Sequence, residues 1–364
     1  MYAAYGVATP FLPAFVAARG IAPEELGLVL GAGTTVCLIT APLAARIGDL
    51  YDALRTVLVL CIALAAFVTL GYLSAEGFWL FLAVSVTQAA MLAPLGVLAD
   101  ALTLGAARRQ GFEYGWVRGT GSAAFILGIL LSGQAVAAQG LGVIVLLQAS
   151  LLALAAVAAR RLPAGRYEPR AAASLGGVGV LLRMPTFRKL VLIAALVLGS
   201  HAMQDAFAVI RWSAAGVSPG LVSVLWSEAV GAEVLVFFLI GPPLIRGLTP
   251  AGAMALAACA GILRWSVIGS TAEVWALALV QPLHGFTFAL LHLACMRLLA
   301  RLVPHGLEGT AQAIYATIGV GGASALLMLT SGALYGRLGA HAFFVMAALC
   351  ALALPLAWRL FGRD

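Results

Sequence analysis

The side chains in this sequence that can hold charge or move protons are few, and most of them interrupt long apolar runs. Asp100 and Arg118 carry opposite charges on two neighbouring runs joined by the polar turn from Arg108 to Gly111. His201 and Asp205 are four residues apart, which places them on one face of a helix. A carboxylate beside an imidazole can trade a proton near neutral pH. Glu228 and Glu233 lie five residues apart, about 140° around a helix, so they cannot both address one cavity in the same way. Arg264 is a central cation with no acid in its own run, and His284 and His292 are eight apart on nearly one helical face. A charge at bilayer depth costs several kcal/mol unless it is paired or hydrated, so each of these residues is a functional candidate.

Each candidate also has a plainer reading. Asp100 and Arg118 form either a structural ion pair or a pair that meets a solute, and the expense of a structural pair at depth favours the solute. His201 and Asp205 are either a proton-handling pair or a hydrogen-bonded pair near the outer end of their helix. Burial raises a carboxylate's proton affinity, so a membrane-embedded Glu is a protonation site in outline. His292 reads best as a buried neutral imidazole with one partner.

The elements that must position these groups follow from composition. Of 364 residues, 63% are hydrophobic and 10% charged, with a mean hydropathy of +1.06. A soluble domain is about half apolar and a quarter charged, so this chain presents a surface that only lipid tolerates. The 41 glycines suit helices that approach closely in a bilayer. Twelve apolar segments are long enough to cross, at 2–18, 26–46, 55–75, 78–104, 113–138, 141–160, 188–210, 219–246, 250–271, 273–299, 309–332 and 338–361. The gap 161–187 is too polar and too broken by Pro163, Pro169 and Pro185 to cross. It divides the chain into six-helix bundles at 1–160 and 188–364, joined by a cytoplasmic linker.

Orientation follows from basic residues counted by side. One side holds sixteen: Arg46, Arg55, Arg108, Arg109, Arg160, Arg161, Arg166, Arg170, Arg183, Arg188, Lys189, Arg246, Arg297, Arg301, Arg359 and Arg363. The other holds three, Arg19, Arg211 and Arg337, while Arg118 and Arg264 fall inside segments. Both termini are therefore expected in the cytoplasm. The first segment begins at Met1 without the charged flank of a signal peptide; either the native start lies upstream or this helix just reaches across. The stretches from Pro42 to Leu60 and from Pro243 to Ala260 occupy matching places in the two halves, an internal repeat of the kind found where two halves rock about a central site.

The chain resembles the major facilitator superfamily, and within it the phenylpropionate permease group related to oligosaccharide:proton symporters such as lactose permease. Carrying this are Arg264-Trp265, Gln281-Pro282-Leu283-His284, Thr287-Phe288, His292-Leu293-Ala294, Met296-Arg297 and Gln312-Ala313 with Tyr315. Gly199-Ser200-His201, Arg211-Trp212, Leu225-Trp226-Ser227, Glu233 and Gly6 to Pro13 add to it. The resemblance implies an all-α membrane protein with twelve helices in two pseudo-symmetric six-helix bundles. It implies substrate contacts at Asp100, Arg118, Arg264 and His284. The Glu that handles the proton one turn after that His in the permease is Thr287 here, and the lysines facing the helix-7 acids are missing, so the proton apparatus does not transfer. The remaining proton candidates are Asp205, Glu233, Asp100 and His201. The signature loop after helix 2 survives in part, with Asp49 and Arg55 as its conformational residues.

The expected protein is a secondary transporter for a small organic solute, coupled to protons, in a bacterial inner membrane and monomeric. Two central cations suit an aromatic or other organic carboxylate; a sugar or nucleoside symporter and a non-transporting sensor on the same scaffold are the alternatives. No cofactor and no metal is expected, since Cys37, Cys61, Cys259, Cys295 and Cys350 lie singly in apolar runs and no ligand spacing occurs. Basic residues at segment ends, without interleaved aromatics, speak against nucleic acid. The absence of charge rings and repeated filter loops speaks against a channel.

Overall fold

A computed structural model describes residues 1–162 and 175–360, which are helical with short connections. Each of the twelve expected segments coincides with a helical run: α1 (Tyr2–Ala18), α2 (Pro23–Leu50), α3 (Leu54–Ser74), α4 (Gly77–Gln110), α5 (Tyr114–Gln139), α6 (Val143–Ala159), α7 (Pro185–Ala214), α8 (Pro219–Gly247), α9 (Pro250–Ser270), α10 (Val274–Leu302), α11 (308–338) and α12 (Ala342–Trp358). Prolines start α2, α7, α8 and α9, where a missing N–H breaks no helical bond. Gly111, at φ 73°, closes α4 and turns the chain into α5. Trp79, Phe67, Leu279 and Trp275 stand more than two-thirds exposed on these helices, an outer face fit for hydrocarbon.

Three details differ from the sequence expectation. The first helix is broken into Tyr2–Ala8 and Leu12–Ala18, because Pro10 and Pro13 cannot donate within it. The interbundle stretch is helical at Leu175–Arg183, and α7 begins at Pro185, so Arg188 and Lys189 lie in its first turns. Arg211, expected in an outer connection, is in the last turn of α7. Arg166, Arg170 and Arg363 of the basic set, with Pro163 and Pro169, lie outside the described residues.

The chain divides into two compact units, Met1–Pro169 with Ser218–Val224, and Arg170–Val217 with Leu225–Asp364. In the first, Leu54, Leu58 and Ile62 of α3, Leu95 and Leu98 of α4, and Leu152 of α6 form a buried core. α1 lies on α5 backbone to backbone. A Cβ at Gly6 would sit 2.0 Å from the Phe125 carbonyl oxygen, and one at Gly128 would sit 2.2 Å from that of Ala3. Lipid supplies no hydrophobic force between helices, so this closeness is what holds α1 in place.

In the second unit, Ala253, Met254 and Ala257 of α9 pack on Phe343, Met346 and Cys350 of α12, all buried. Three helices here contain π-helical stretches: Val236–Ile240 in α8, Gly285–Leu290 in α10 and Tyr315–Gly322 in α11. In α10 the stretch follows a 3-10 turn at Gln281–Leu283, where Pro282 has no N–H to give. Gly285 permits α10 to meet α8, since a Cβ there would fall 2.7 Å from the Ala232 carbonyl oxygen. Such stretches re-aim side chains and gather at functional sites. These three begin immediately after Leu235, His284 and Ile314.

Candidate functional site

In the first unit a cavity of about 610 Å³ opens among α1, α2, α4 and α5. Tyr2 and Tyr5, one turn apart, stand on its α1 wall, and Thr34 and Cys37 on its α2 wall. Ser85, Gln88 and Asp100 line it from α4, and Arg118 from α5. Arg118 is exposed; its Nη1 donates to the Tyr2 hydroxyl and its guanidinium carbon lies 5.3 Å from the centre of the Tyr2 ring. The Asp100 charge acts on Tyr114, at the start of α5, and on Tyr2. So Asp100 and Arg118 share one cavity, with tyrosine hydroxyls around both.

The wall behind them is rigid. Gln88 Nε2 donates to Thr69 Oγ1 at 2.8 Å and to Gln148 Oε1 at 3.2 Å, while its Oε1 accepts from the Tyr72 hydroxyl at 3.2 Å. Three helices are tied together by this buried and satisfied network. Tyr5 donates to the Leu92 carbonyl at 2.6 Å, pinning α1 to α4.

The second unit holds the other candidates, in a different setting. Arg264 has none of its surface exposed. Its Nη1 lies 3.1 Å from His284 Nδ1, its Nη2 donates to Gln281 Oε1 at 3.0 Å, and its guanidinium lies 4.7 Å from the Trp265 ring centre. Trp265 in turn donates to Ser200 Oγ at 2.9 Å. Arginine has no acceptor, so His284 Nδ1 must accept. The imidazole hydrogen is then on Nε2, which lies 3.5 Å from Glu233 Oε2. Arg264 thereby fixes the His284 tautomer and aims its N–H at the α8 carboxylate.

His201 faces the same cluster. Its ring centre lies 4.9 Å from that of His284, and its Nε2 lies 3.0 Å from Thr287 Oγ1. Thr287 donates to the His284 carbonyl at 3.2 Å, so the histidine supplies the hydrogen in the His201 contact. Phe288 stacks on both imidazoles, at 6.2 and 5.6 Å. Asp205 is the one exposed residue between His201 and Val209, opening onto free space from an otherwise buried face, and its charge acts on Arg264. Among the described residues no group of three potential ligands could hold a metal.

Asp49 and Arg55 stand apart from both clusters. The Asp49 carbonyl accepts from the Asp52 N–H at 3.3 Å in the turn after α2. Arg55 Nη1 donates to the Leu162 carbonyl at 3.0 Å, closing the end of α6.

Sequence reasoning missed Tyr2, Tyr5, Tyr114 and Gln88 as site residues. Tyr2 and Tyr5 had a signal, their three-residue spacing on one face of a segment rich in small residues. Gln88 and Gln148 had another, as uncharged polar side chains deep in apolar runs. Glu233 and His284 were both candidates, but their contact spans two helices and no local spacing shows it.

The apolar helical runs among the described residues, with embedded charges at an open cavity and at a histidine cluster, fit a transporter that is an integral membrane protein. Residues 1–346 match the family described as MFS_1 like family, and the chain belongs to that family, within the major facilitator superfamily. It is 33% identical over 352 residues to the probable 3-phenylpropionic acid transporter of Escherichia coli (strain K12), covering 94% of this chain and 90% of that one. Over 356 residues it is 24% identical to the maltose permease of Geobacillus stearothermophilus, covering 97% and 89%. A crystal structure of a mutant of the nucleoside transporter NupG shares its fold, with a TM-score of 0.86 at 14% identity over 99% of this chain and 96% of that one. The protein is a secondary active transporter that moves a small organic solute by alternating access.

Proposed function

We propose that the solute is an aromatic carboxylate, bound with its negative charge on Arg118 and its ring against Tyr2 and Tyr5. The observation that carries this reading is an exposed guanidinium beside aromatic rings in a cavity of about 610 Å³. A carboxylate takes two N–H donors of an arginine at once. The 33% identical relative is named for 3-phenylpropionic acid, which is consistent with this class. Asp100 accepts from any hydroxyl the solute carries, while Arg264 and His284 remain candidate substrate contacts within the second unit.

Transport is coupled to protons. Glu233 is the carrier of choice because it is half-buried and faces a His284 N–H that the buried Arg264 keeps in place. Asp205, His201 and Asp100 are the remaining carriers. Asp49 and Arg55 act in the loop that changes with conformation. The six-helix bundles 1–160 and 188–364 are the moving parts, with 161–187 as the linker. The protein works as a monomer in a bacterial inner membrane, with both termini in the cytoplasm, an orientation supported by the excess of basic residues on one side.

Uptake of labelled 3-phenylpropionate into proteoliposomes tests the substrate class. Accumulation above empty vesicles, lost when the pH gradient is collapsed, is the expected result. No signal over empty vesicles contradicts the carboxylate, and uptake indifferent to the gradient contradicts coupling. The polar wall of Thr34, Ser85 and Gln88 beside Asp100 favours a second reading, a sugar or nucleoside. Competition by maltose or uridine, but not by 3-phenylpropionate, would select it.

A further inference from the structure

One buried amide of the second unit has no part assigned to it so far. Gln281 opens the 3-10 turn of α10 and has none of its surface exposed. Its Oε1 accepts from Arg264 Nη2 at 3.0 Å, and its Nε2 donates to the Leu225 carbonyl of α8 at 3.4 Å. Arginine has donors only, so the amide oxygen must face Arg264 and the amide nitrogen is left for α8. A buried carboxamide is costly unless bonded, and this one is bonded at both ends.

The amide closes a ring of hydrogen bonds that begins and ends on α8. The ring runs from Leu225 through Gln281 to Arg264, and from Arg264 Nη1 to His284 Nδ1 at 3.1 Å. It returns from His284 Nε2 to Glu233, 3.5 Å away. Its two footholds on α8 are eight residues, about 12 Å, apart. Arg264 Nε is buried and bonds to no acceptor. Among the described residues, Gln281 and His284 are therefore the acceptors that hold the guanidinium, while Trp265 attracts its charge from 4.7 Å. Without the Gln281 oxygen, Nη2 loses its acceptor as well and the guanidinium is free to turn. His284 can then carry its hydrogen on Nδ1, which turns a lone pair toward Glu233 in place of an N–H.

We propose that Gln281 is the positioning residue of this cluster: it fixes the Arg264 guanidinium, which holds His284 in the Nε2–H tautomer that faces Glu233. By its bond to Leu225 it also ties that tautomer to the seat of α8 on α10. The effect on transport rests on the reading of Glu233 as proton carrier; the tautomer does not. The titratable groups around the ring are His201 and Asp205 from α7, Glu233 from α8, and Cys350 from α12 through Ser200.

Nitrogen NMR of the histidines reads the tautomer directly. The chain has five histidines, and His284→Asn assigns the signals of this one. Near neutral pH the wild type is expected to show a protonated Nε2 and a bare Nδ1 at His284. Gln281→Leu fills similar space without the oxygen and is expected to show both tautomers. Gln281→Glu keeps an acceptor for Arg264 and is expected to keep the wild-type signals. A wild-type His284 that carries its hydrogen on Nδ1, or on both nitrogens, overturns the proposal and needs no variant to fold. A Gln281→Leu spectrum like the wild type's, or one shared by Gln281→Leu and Gln281→Glu, also overturns it. In proteoliposomes, gradient-driven uptake of labelled 3-phenylpropionate should fall about tenfold in Gln281→Leu, the worth of one buried hydrogen bond, and stay within about twofold in Gln281→Glu. Equal losses in the two variants would mark packing alone and reject the positioning role. Wild-type uptake that ignores the gradient would sink proton coupling, while the NMR arm still judges Gln281.

Discussion

Arg118 and Arg264 are both guanidinium groups set within apolar helices, and the protein surrounds them in opposite ways. Arg118 stands exposed in a cavity, with a tyrosine hydroxyl and ring as its neighbours. Arg264 is wholly buried, with Gln281, His284 and Trp265 close around it. An exposed cation next to free space keeps donors for a ligand. A buried one, bonded through Nη1 and Nη2 to His284 and Gln281, acts through the groups it orients. In the proposed reading, the same residue type serves recognition in one unit and the positioning of an imidazole in the other.

This contrast can be broken from the Arg264 side first. Arg264→Ala leaves His284 Nδ1 and Gln281 Oε1 without their donor, at about 1–3 kcal/mol for each buried unpaired group. We expect a clear drop in melting temperature in detergent, and a melting curve like the wild type's would show that the cluster is not structural. Arg118→Ala should barely move that curve. It should instead weaken 3-phenylpropionate binding about 10–100-fold in calorimetry, the worth of a charge-assisted contact of about 1.5–3 kcal/mol. Binding unchanged in this variant would remove Arg118 from recognition.

Gln88→Ala tests whether the cavity wall needs its buried network. The loss of partners for Thr69, Tyr72 and Gln148 predicts about 1–2 kcal/mol lower stability, read as a lower melting temperature. The smallest effect is expected from Tyr2→Phe, which keeps the ring and removes one hydroxyl partner of Arg118. Binding should change by less than about tenfold, since one such bond is worth about 0.5–1.5 kcal/mol. A complete loss would mean that Tyr2 contacts the ligand directly through its hydroxyl.

The helices were legible because lipid demands long apolar runs, and the short connections left little freedom in their order. Arg264 and His284 were legible as a pair only through family resemblance, and their contact then appeared in the structure. The Tyr2–Arg118 contact joins residues 116 positions apart, across a closeness that depends on Gly6 and Gly128. No local pattern encodes such a pairing. The π-helical stretch of α10 was equally hidden, because it begins at Gly285, whose close approach to the α8 backbone no local pattern shows. Thr287, read as a lost carboxylate, holds His201 instead, and Glu233 on a different helix supplies an acid to His284.

A structure of the protein with bound 3-phenylpropionate tests the division of labour most directly. The account predicts both carboxylate oxygens within about 3 Å of the Arg118 guanidinium and the ring against Tyr2 and Tyr5. It also predicts that Arg264 keeps its bonds to His284 and Gln281. A carboxylate seated on Arg264, with Arg118 left to Tyr2, would contradict it.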